Sequence, residues 1–522
     1  MKQEPLSLSK RSFLKSLGVG AIASTLATPR PSKAAFSYKP LPEKLLVAGI
    51  RESNDPEDEL HFMSATKLAS LIRSKQLSST EAVQLFVDRI HKVNPYINAV
   101  VTPCFERAFD EAKKADELLA KGQSLGPLHG VPMTIKDSID TEGVVSTGGT
   151  QGRSHFVPEK DATTVARLRG AGAILLGKTN TPEFTLGGVS GLNTTSNILF
   201  GMSRNPYNTK FSTYGSSGGA GAIVAAGGSG FDIGSDFGGS IRSPSHANGV
   251  AGLKPTTGRV PRTGHIVDYG GMFDSYQQLG PMCRKVEDII TLMPIISGPD
   301  HLDAIIHDVP MTDPSTVDIS KLRVAYYLQQ GAGGMRATSE VRDVVLKAAR
   351  AMENAGCPVS EDTPPRILEA IDIRSELRNA DGNAWQERLT KRYGTIVPGP
   401  SRRFDYPLVP MPRVTELLEL QDEIKSEILT FMEDYDILLC PVRGFPVSEI
   451  GDPLDTRSHP GGSFTAIYNV TGYPAGVIRG GTDSNGVPIG FQVVGRPWAD
   501  GVVMAAMSYL ESQLGGYIKP NL

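Results

Sequence analysis

Residues 215–242 read GSSGGAGAIVAAGGSGFDIGSDFGGSIR and set two serines, Ser216 and Ser240, among glycines 24 positions apart. Upstream, the segment GVPMTIKD (130–137) carries Lys136 directly after an apolar, strand-like run. A serine becomes a nucleophile when a neighbouring group takes its proton and its backbone lets a substrate approach. Glycine grants that approach because it lacks the Cβ that would block it. Two glycine-set serines with one strand-end lysine suggest Ser–Ser–Lys hydrolytic chemistry, not Ser–His–Asp. Lys136 must be neutral to act as a base. Its reference pKa of about 10.4 has to fall to roughly 7–8, which takes about 3–4 kcal/mol of desolvation or hydrogen bonding. Direct pairing with Asp137 would raise the pKa and defeat the base.

The elements that must position these groups follow from pattern. Ser78 and Glu81 form a capping box, and the spacing of Ala82, Leu85, Phe86 and Ile90 predicts a helix to about residue 93. A second amphipathic helix is expected over 105–121, a short strand over 131–135 ending at Lys136, a helix over 165–169 and a buried strand over 173–176. Small residues over 218–226 predict a closely packed helix. Helices alternating with short apolar strands argue for an α/β fold with a largely buried sheet. Beyond residue 300, helices near 339–355 and 414–434 flank a polar, Pro-rich stretch at 395–413, and strands at 438–441 and 489–494 resume the sheet pattern.

Three other patterns compete with this chemistry. Gly172-AILL-Gly177-Lys178-Thr179 matches the phosphate-binding GxxxxGK[ST] pattern, but the residues between its glycines form an apolar strand and Pro182 follows closely. Gly215-Ser216-Ser217-Gly218-Gly219 matches GxSxG, which would make Ser217 the nucleophile with a downstream base such as His459. That elbow should follow an apolar strand, whereas 203–214 is polar and loop-like. The nine histidines contain no HExxH, and His129 and His246 read as structural residues.

The segments GVPMTIKD (130–137), GAILLGKTNTPEF (172–184), GSSGGAGA (215–222), GSDFGGSIRSP (234–244) and GLKPTTGRV (252–260) together resemble the amidase signature family in order and spacing. Weaker resemblance runs from about residue 60 to the C-terminus. The resemblance implies an amidase signature fold, a mixed twisted central sheet covered by helices on both faces. It implies one amidase domain over 61–522, with a helical substrate-shaping region at about 300–435. It implies Ser240 as nucleophile, with Ser216, preceded by a cis peptide bond, relaying protons to Lys136. The backbone N–H groups of Phe237, Gly238, Gly239 and Ser240 would form the oxyanion hole, since consecutive amides in a glycine-rich turn can converge on one concavity. Asp236 and Arg242 would brace that turn as an ion pair, and Ser217 would support Ser216 by hydrogen bonding. The implied reaction is hydrolysis of a carboxylic amide C–N bond, releasing ammonia or an amine, with no metal and no cofactor. Two alternatives stand beside it: a glutamine-hydrolysing subunit of a tRNA-dependent amidotransferase, and a non-catalytic binding protein on the same scaffold. Tyr214 stands where the family has a glycine and is expected to re-line the entrance near Ser216. The pocket walls are expected from 300–465, with Gly461, Gly462, Phe464 and Tyr468 as lining residues.

Composition bounds the remaining classes. With 522 residues, 39% hydrophobic and 21% charged, the chain can bury a large core, and nothing basic or aromatic-interleaved suggests a nucleic-acid surface. Residues 9–15 (SKRSFLK), an apolar 17–27 and PRPSKAAF have the layout of an export signal resembling the twin-arginine type. Its apolar stretch is too short to cross a bilayer. The first 35 residues hold six Lys or Arg against one Glu, so the remainder of a chain at −3 would carry −8. That disfavours membrane-surface binding once the signal is removed. The reading is thus a signal at 1–35, a linker or arm at 36–60, and an exported, periplasmic enzyme acting on a small-molecule amide, with a homodimer as an assembly common in such enzymes. Cys104, Cys283, Cys357 and Cys440 form no CxxC pair and are expected as free, mostly buried thiols.

Overall fold

The computed structural model describes residues 60–189, 191–266, 275–396, 404, 406–452 and 463–522. These fall within one compact unit, Leu41–Leu522. The expected export signal and nearly all of the expected arm lie outside the described residues, as do Gly461, Gly462 and His459.

Helix Ser79–Ile97 starts where the capping box placed it: Glu81 N–H donates to Ser78 Oγ at 3.0 Å and Ser78 N–H donates to Glu81 Oε2 at 2.8 Å. It runs past the expected end at 93 because Pro95, in the last turn, removes a single donor, and Asn98 closes the helix in the left-handed region at φ 47.

A three-stranded sheet follows, ordered β1-β3-β2, from β1 (Val100–Pro103), β2 (Pro132–Lys136) and β3 (Ile174–Thr179). Its central strand is the segment that mimics a phosphate loop. Lys178 in it is buried and donates to Ile139 O and to Thr141 Oγ1, an internal structural tie. After the short pair β4 (Ser196–Asn197) and β5 (Gly201–Met202) comes an eight-stranded mixed sheet. Its members are β6 (Phe231–Asp236), β7 (Ala251–Lys254), β8 (Gln278–Cys283), β9 (Val324–Tyr326), β10 (Val359–Glu361), β11 (Ile437–Pro441), β12 (Ala475–Thr482) and β13 (Pro488–Gly495). The order is β10-β9-β11-β13-β12-β7-β8-β6, with β10, β9 and β11 parallel and the other neighbours antiparallel.

The small sheet abuts the β6 edge of the large one. Gly230 N–H donates to Pro132 O at 3.1 Å, and Thr134 Oγ1 donates to the buried Asp232 at 2.6 Å. Beyond that point side chains, not a backbone ladder, link β2 to β6. This is the geometry that lets a side chain on β2 reach across to β6.

Both faces of the large sheet are covered, as the period of two requires. Ile437, Leu439, Ile489, Phe491 and Val493 pack in the core with helices Val286–Ile296, Ser339–Asn354 and Asp500–Leu514. Leu438, Cys440 and Val494 pack in a second core with helices Ile367–Arg378, Met411–Phe431 and Ile467–Val470. Each such side chain, fully buried, contributes about 1.5–3 kcal/mol. The middle third is therefore more than a helical decoration, because β9 and β10 extend the sheet. Three-residue strands carry no apolar run long enough to show in the sequence.

Cys283, Cys357 and Cys440 are buried and Cys104 half-buried, all as free thiols. Among the described residues, no helix is long and apolar enough to cross a membrane, and no group of acidic, His and Cys side chains is arranged to hold a metal.

Candidate active site

Lys136 ends β2 with its side chain wholly buried. Its Nζ lies 2.6 Å from Ser216 Oγ, 2.8 Å from Ser217 Oγ and 2.9 Å from Ser235 Oγ. Burial lowers its pKa to about 7, against the opposing pull of Asp236 and Asp232. Asp137 turns away from it and accepts from Thr147 N–H at 3.1 Å and from the Thr147 hydroxyl. The pairing that would hold Lys136 charged is thus absent. Asp232, raised by burial to about 7, accepts from Thr134 at 2.6 Å and Thr179 at 3.0 Å.

Ser216 follows a cis Gly215–Ser216 bond, and Ser217 immediately precedes helix Gly218–Ala225. Only glycine fits at 218, where a Cβ would stand 2.3 Å from Thr213 Oγ1 and 2.4 Å from Thr195 Oγ1. Ser217, expected to support Ser216 by hydrogen bonding, instead places its hydroxyl on Lys136. Ser217 N–H donates to Ser240 O at 3.1 Å, tying the two serine segments together. Exposure grades outward from Lys136 at 0% and Ser216 at 3% to a half-buried Ser240. Among the described residues, the Ser240 hydroxyl makes no hydrogen bond.

The turn carrying Ser240 is organised by Asp236. Its carboxylate accepts from Gly239 N–H at 2.7 Å, Ile241 N–H at 3.1 Å and both Arg242 nitrogens, Nε and Nη2, at 3.0 Å. Arg242 also donates to Thr465 O at 2.8 Å, Gln492 Oε1 at 2.9 Å and Asn469 Oδ1 at 2.6 Å. Burial alone would raise the Asp236 carboxyl, but the Arg242 guanidinium with the Asn469 amide holds it well below the usual range. The expected ion pair is therefore present and fully buried.

The oxyanion-hole expectation needs one correction. Gly239 N–H points to Asp236, so it is not open to a ligand. Gly239 sits at φ +121, a conformation that L side chains rarely adopt. Gly238 N–H and Ser240 N–H make no hydrogen bond among the described residues, and Phe237 lies nearly buried under the turn.

Tyr214 also departs from expectation. It is 3% exposed and packs with Phe211, Ala247, Val447 and Val487, stacked on His246. Apolar surroundings with room for a ring draw the phenol into this cluster, so it stands as packing behind Ser216, not as an exposed entrance group. His246, buried and lowered by burial to about 4, accepts from Gly490 N–H at 2.9 Å, and His129 accepts from Leu125 N–H at 3.1 Å. Phe464 and Tyr468 are fully buried in the second core, Tyr468 bonded to the Tyr327 hydroxyl at 2.6 Å, so neither presents an open wall.

Sequence reasoning missed Ser235, Asn469, Gln492 and Arg374. Ser235 had a readable cue, a hydroxyl directly before Asp236 on the strand facing β2. Asn469 opens the segment NVTGYPAG (469–476), but its partner Asp236 is 233 residues away. Arg374, on helix Ile367–Arg378, donates to Phe237 O at 2.7 Å and had no cue at all.

Comparison with known proteins places the whole chain. The family model described as Amidase matches residues 81–504. The chain is 34% identical over 480 residues to a glutamyl-tRNA(Gln) amidotransferase subunit from Moorella thermoacetica, covering 86% of this chain and 96% of that protein. It is 33% identical to an acylamidase of Rhodococcus erythropolis, covering 87% and 96%. Among solved structures it is similar to a 6-aminohexanoate cyclic dimer hydrolase, with a TM-score of 0.74 at 29% identity, covering 87% and 97%. The buried lysine under two glycine-set serines thus sits in a chain that belongs to the amidase signature family.

Proposed function

We propose that this protein is a serine amidase that hydrolyses a linear or aryl carboxylic amide through an acyl-enzyme on Ser240. The observation that carries the reading is a buried lysine with pKa about 7 whose nitrogen lies 2.6 Å from the Ser216 hydroxyl. A lysine that is largely neutral at working pH has a lone pair to offer. Ser217 already directs its own hydroxyl at Ser235 O, 3.3 Å away, which leaves Ser216 to donate into that lone pair.

Ser240 Oγ attacks the amide carbon as its proton passes to Ser216, whose own proton moves to Lys136 Nζ. The tetrahedral oxygen takes up negative charge beside Gly238 N–H and Ser240 N–H. The C–N bond then breaks as the proton returns from Lys136 through Ser216 to the leaving nitrogen. Water attacks the acyl-enzyme with the same relay taking its proton, releasing a carboxylic acid and restoring Ser240. The Asp236–Arg242 pair keeps the turn in place and takes no part in proton transfer.

The test is ammonia and amine release from aliphatic amides, aryl amides, anilides, amidated peptides and glutamine, by the wild type beside Ser240→Ala. Release by the wild type alone supports the reading, and equal release by the variant sinks it. A second reading, a glutamine-hydrolysing subunit working with partner proteins, is favoured by the 34% identity to an amidotransferase component. Glutamine as the best substrate with co-purifying partners or tRNA would select it. The export-signal layout of residues 9–35 supports the first reading, and recovery of the protein in the periplasmic fraction is the outcome that reading predicts.

A further inference from the structure

The turn bearing Ser240 consists of three successive peptide units, and each carbonyl has a different donor. Phe237 O accepts from Arg374 Nη2 at 2.7 Å, Gly238 O from Thr465 Oγ1 at 2.7 Å, and Gly239 O from Ser243 N–H at 2.7 Å. None of these three units is cis, and in a trans peptide the C=O and N–H point in opposite directions. A donor on one carbonyl therefore sits behind the N–H of the next residue. Behind Gly238 N–H stands a guanidinium, behind Gly239 N–H a hydroxyl, and behind Ser240 N–H a backbone amide.

The guanidinium is unlike the other two. The bond to Phe237 O is the one hydrogen bond Arg374 makes among the described residues, and it has no ion pair there. Its Nε is buried without a partner. Its carbon sits 5.2 Å from the Phe237 ring centroid and 5.5 Å from that of Tyr276, so ring faces hold it without neutralising it. Burial lowers its pKa to about 10, which leaves it charged at neutral pH. Arg242, the guanidinium on the other side of this turn, answers the Asp236 carboxylate. Arg374 answers a peptide carbonyl.

We propose that Arg374 is a positioning residue that polarises the Phe237–Gly238 peptide and so makes Gly238 N–H the stronger donor to the oxyanion formed at Ser240. A charge-assisted hydrogen bond draws electron density toward the carbonyl oxygen and strengthens the N–H at the other end of the same unit. The gain falls in the transition state, because the substrate oxygen carries full charge only there. The inference rests on the acyl-enzyme reading of Ser240 given above.

The test uses the full chain and a fluorophosphonate, whose phosphoryl oxygen also becomes an oxyanion as Ser240 attacks. Its labelling rate constant at Ser240 is measured in the wild type, Arg374→Met and Arg374→Lys. Losing an oxyanion donor costs about 10²–10³ in rate, so weakening one through its peptide should cost about tenfold in Arg374→Met. Arg374→Lys, which keeps the charge, should recover part of that loss and also serves if the Met variant does not fold. Binding of phenylboronic acid, whose adduct places a negative oxygen in the same hole, should fall in proportion. Turnover of 4-nitroacetanilide and of its succinyl counterpart should fall by equal factors through kcat, with KM little changed. Labelling at the wild-type rate in folded Arg374→Met overturns the proposal. So does a loss confined to the carboxylate-bearing succinyl anilide, which would make Arg374 a receptor for substrate charge. A wild type that is not labelled at Ser240 overturns the acyl-enzyme reading itself.

Discussion

Lys136 ends β2 and Lys178 lies one residue before the end of the neighbouring β3, with Lys136 opposite Thr179 and Lys178 opposite Ile135 in register. Both are fully buried, and burial lowers them to about 7 and about 8. What separates them is the chemistry of their partners. Carboxylates pull both upward, but Lys178 donates to a backbone carbonyl, Ile139 O, which can only accept, and meets a single hydroxyl, that of Thr141. Lys136 meets three serine hydroxyls, each able to accept or to donate. A lysine held by a carbonyl is fixed as a donor, while a lysine held by hydroxyls can exchange a proton without losing its contacts. Desolvation alone does not make a base. The partners decide whether the neutral form is useful.

Substitution of either lysine separates these roles most strongly. Lys136→Met should lower amide turnover by about 10⁴-fold at neutral pH, the scale seen when a relay group is removed, with the protein still folded. Lys178→Met should do the reverse. It leaves Ile139 O and Thr141 without their buried donor, costs about 1–3 kcal/mol read as a lowered melting temperature, and keeps turnover within a few-fold. Equal loss of activity in both variants would erase the distinction.

Breaking the brace should have the next largest effect. Arg242→Lys cannot keep two bonds to Asp236 while reaching Thr465 O, Gln492 and Asn469. Turnover should fall about 10²-fold, because the Gly238 and Ser240 amides lose their placement. The smallest and sharpest change is Ser235→Ala. It removes one hydroxyl that accepts from Lys136 at 2.9 Å and so favours the charged form. The pH at which turnover reaches half its maximum should move downward, with the plateau reduced only a few-fold. An upward move would mean that Ser235 donates to the lysine.

The two lysines also mark how far the sequence could be read. Ser216 and Ser240 stood out because glycines around a reactive side chain leave a local trace, Lys136 because it follows an apolar run, and the Asp236–Arg242 brace through the family resemblance. The helix Ser79–Ile97 was legible in its capping box, and β3 in its apolar run. The groups that complete the site left no local trace. Arg374 reaches Phe237 from 137 residues away and Gln492 reaches Arg242 from 250, contacts set by the order of strands across the large sheet. Tyr214 was misread for the same reason, since its cavity is built from Phe211, Ala247, Val447 and Val487. Gly239 shows a finer limit. Its place in the turn was legible, but its N–H is taken by Asp236, which no spacing reveals.

The central claim, that a neutral Lys136 drives attack by Ser240 through Ser216, is tested most directly by a pH profile. The rate constant for fluorophosphonate labelling of Ser240 would be followed over about pH 5 to 10 in the wild type and in Lys136→Ala. The lysine is depressed by burial and active when deprotonated, so the wild-type rate should rise with pH and reach half its maximum near about 7. Lys136→Ala should be slow throughout and lack that step. A wild-type rate that is flat across this range, or a step that survives in Lys136→Ala, would contradict the account.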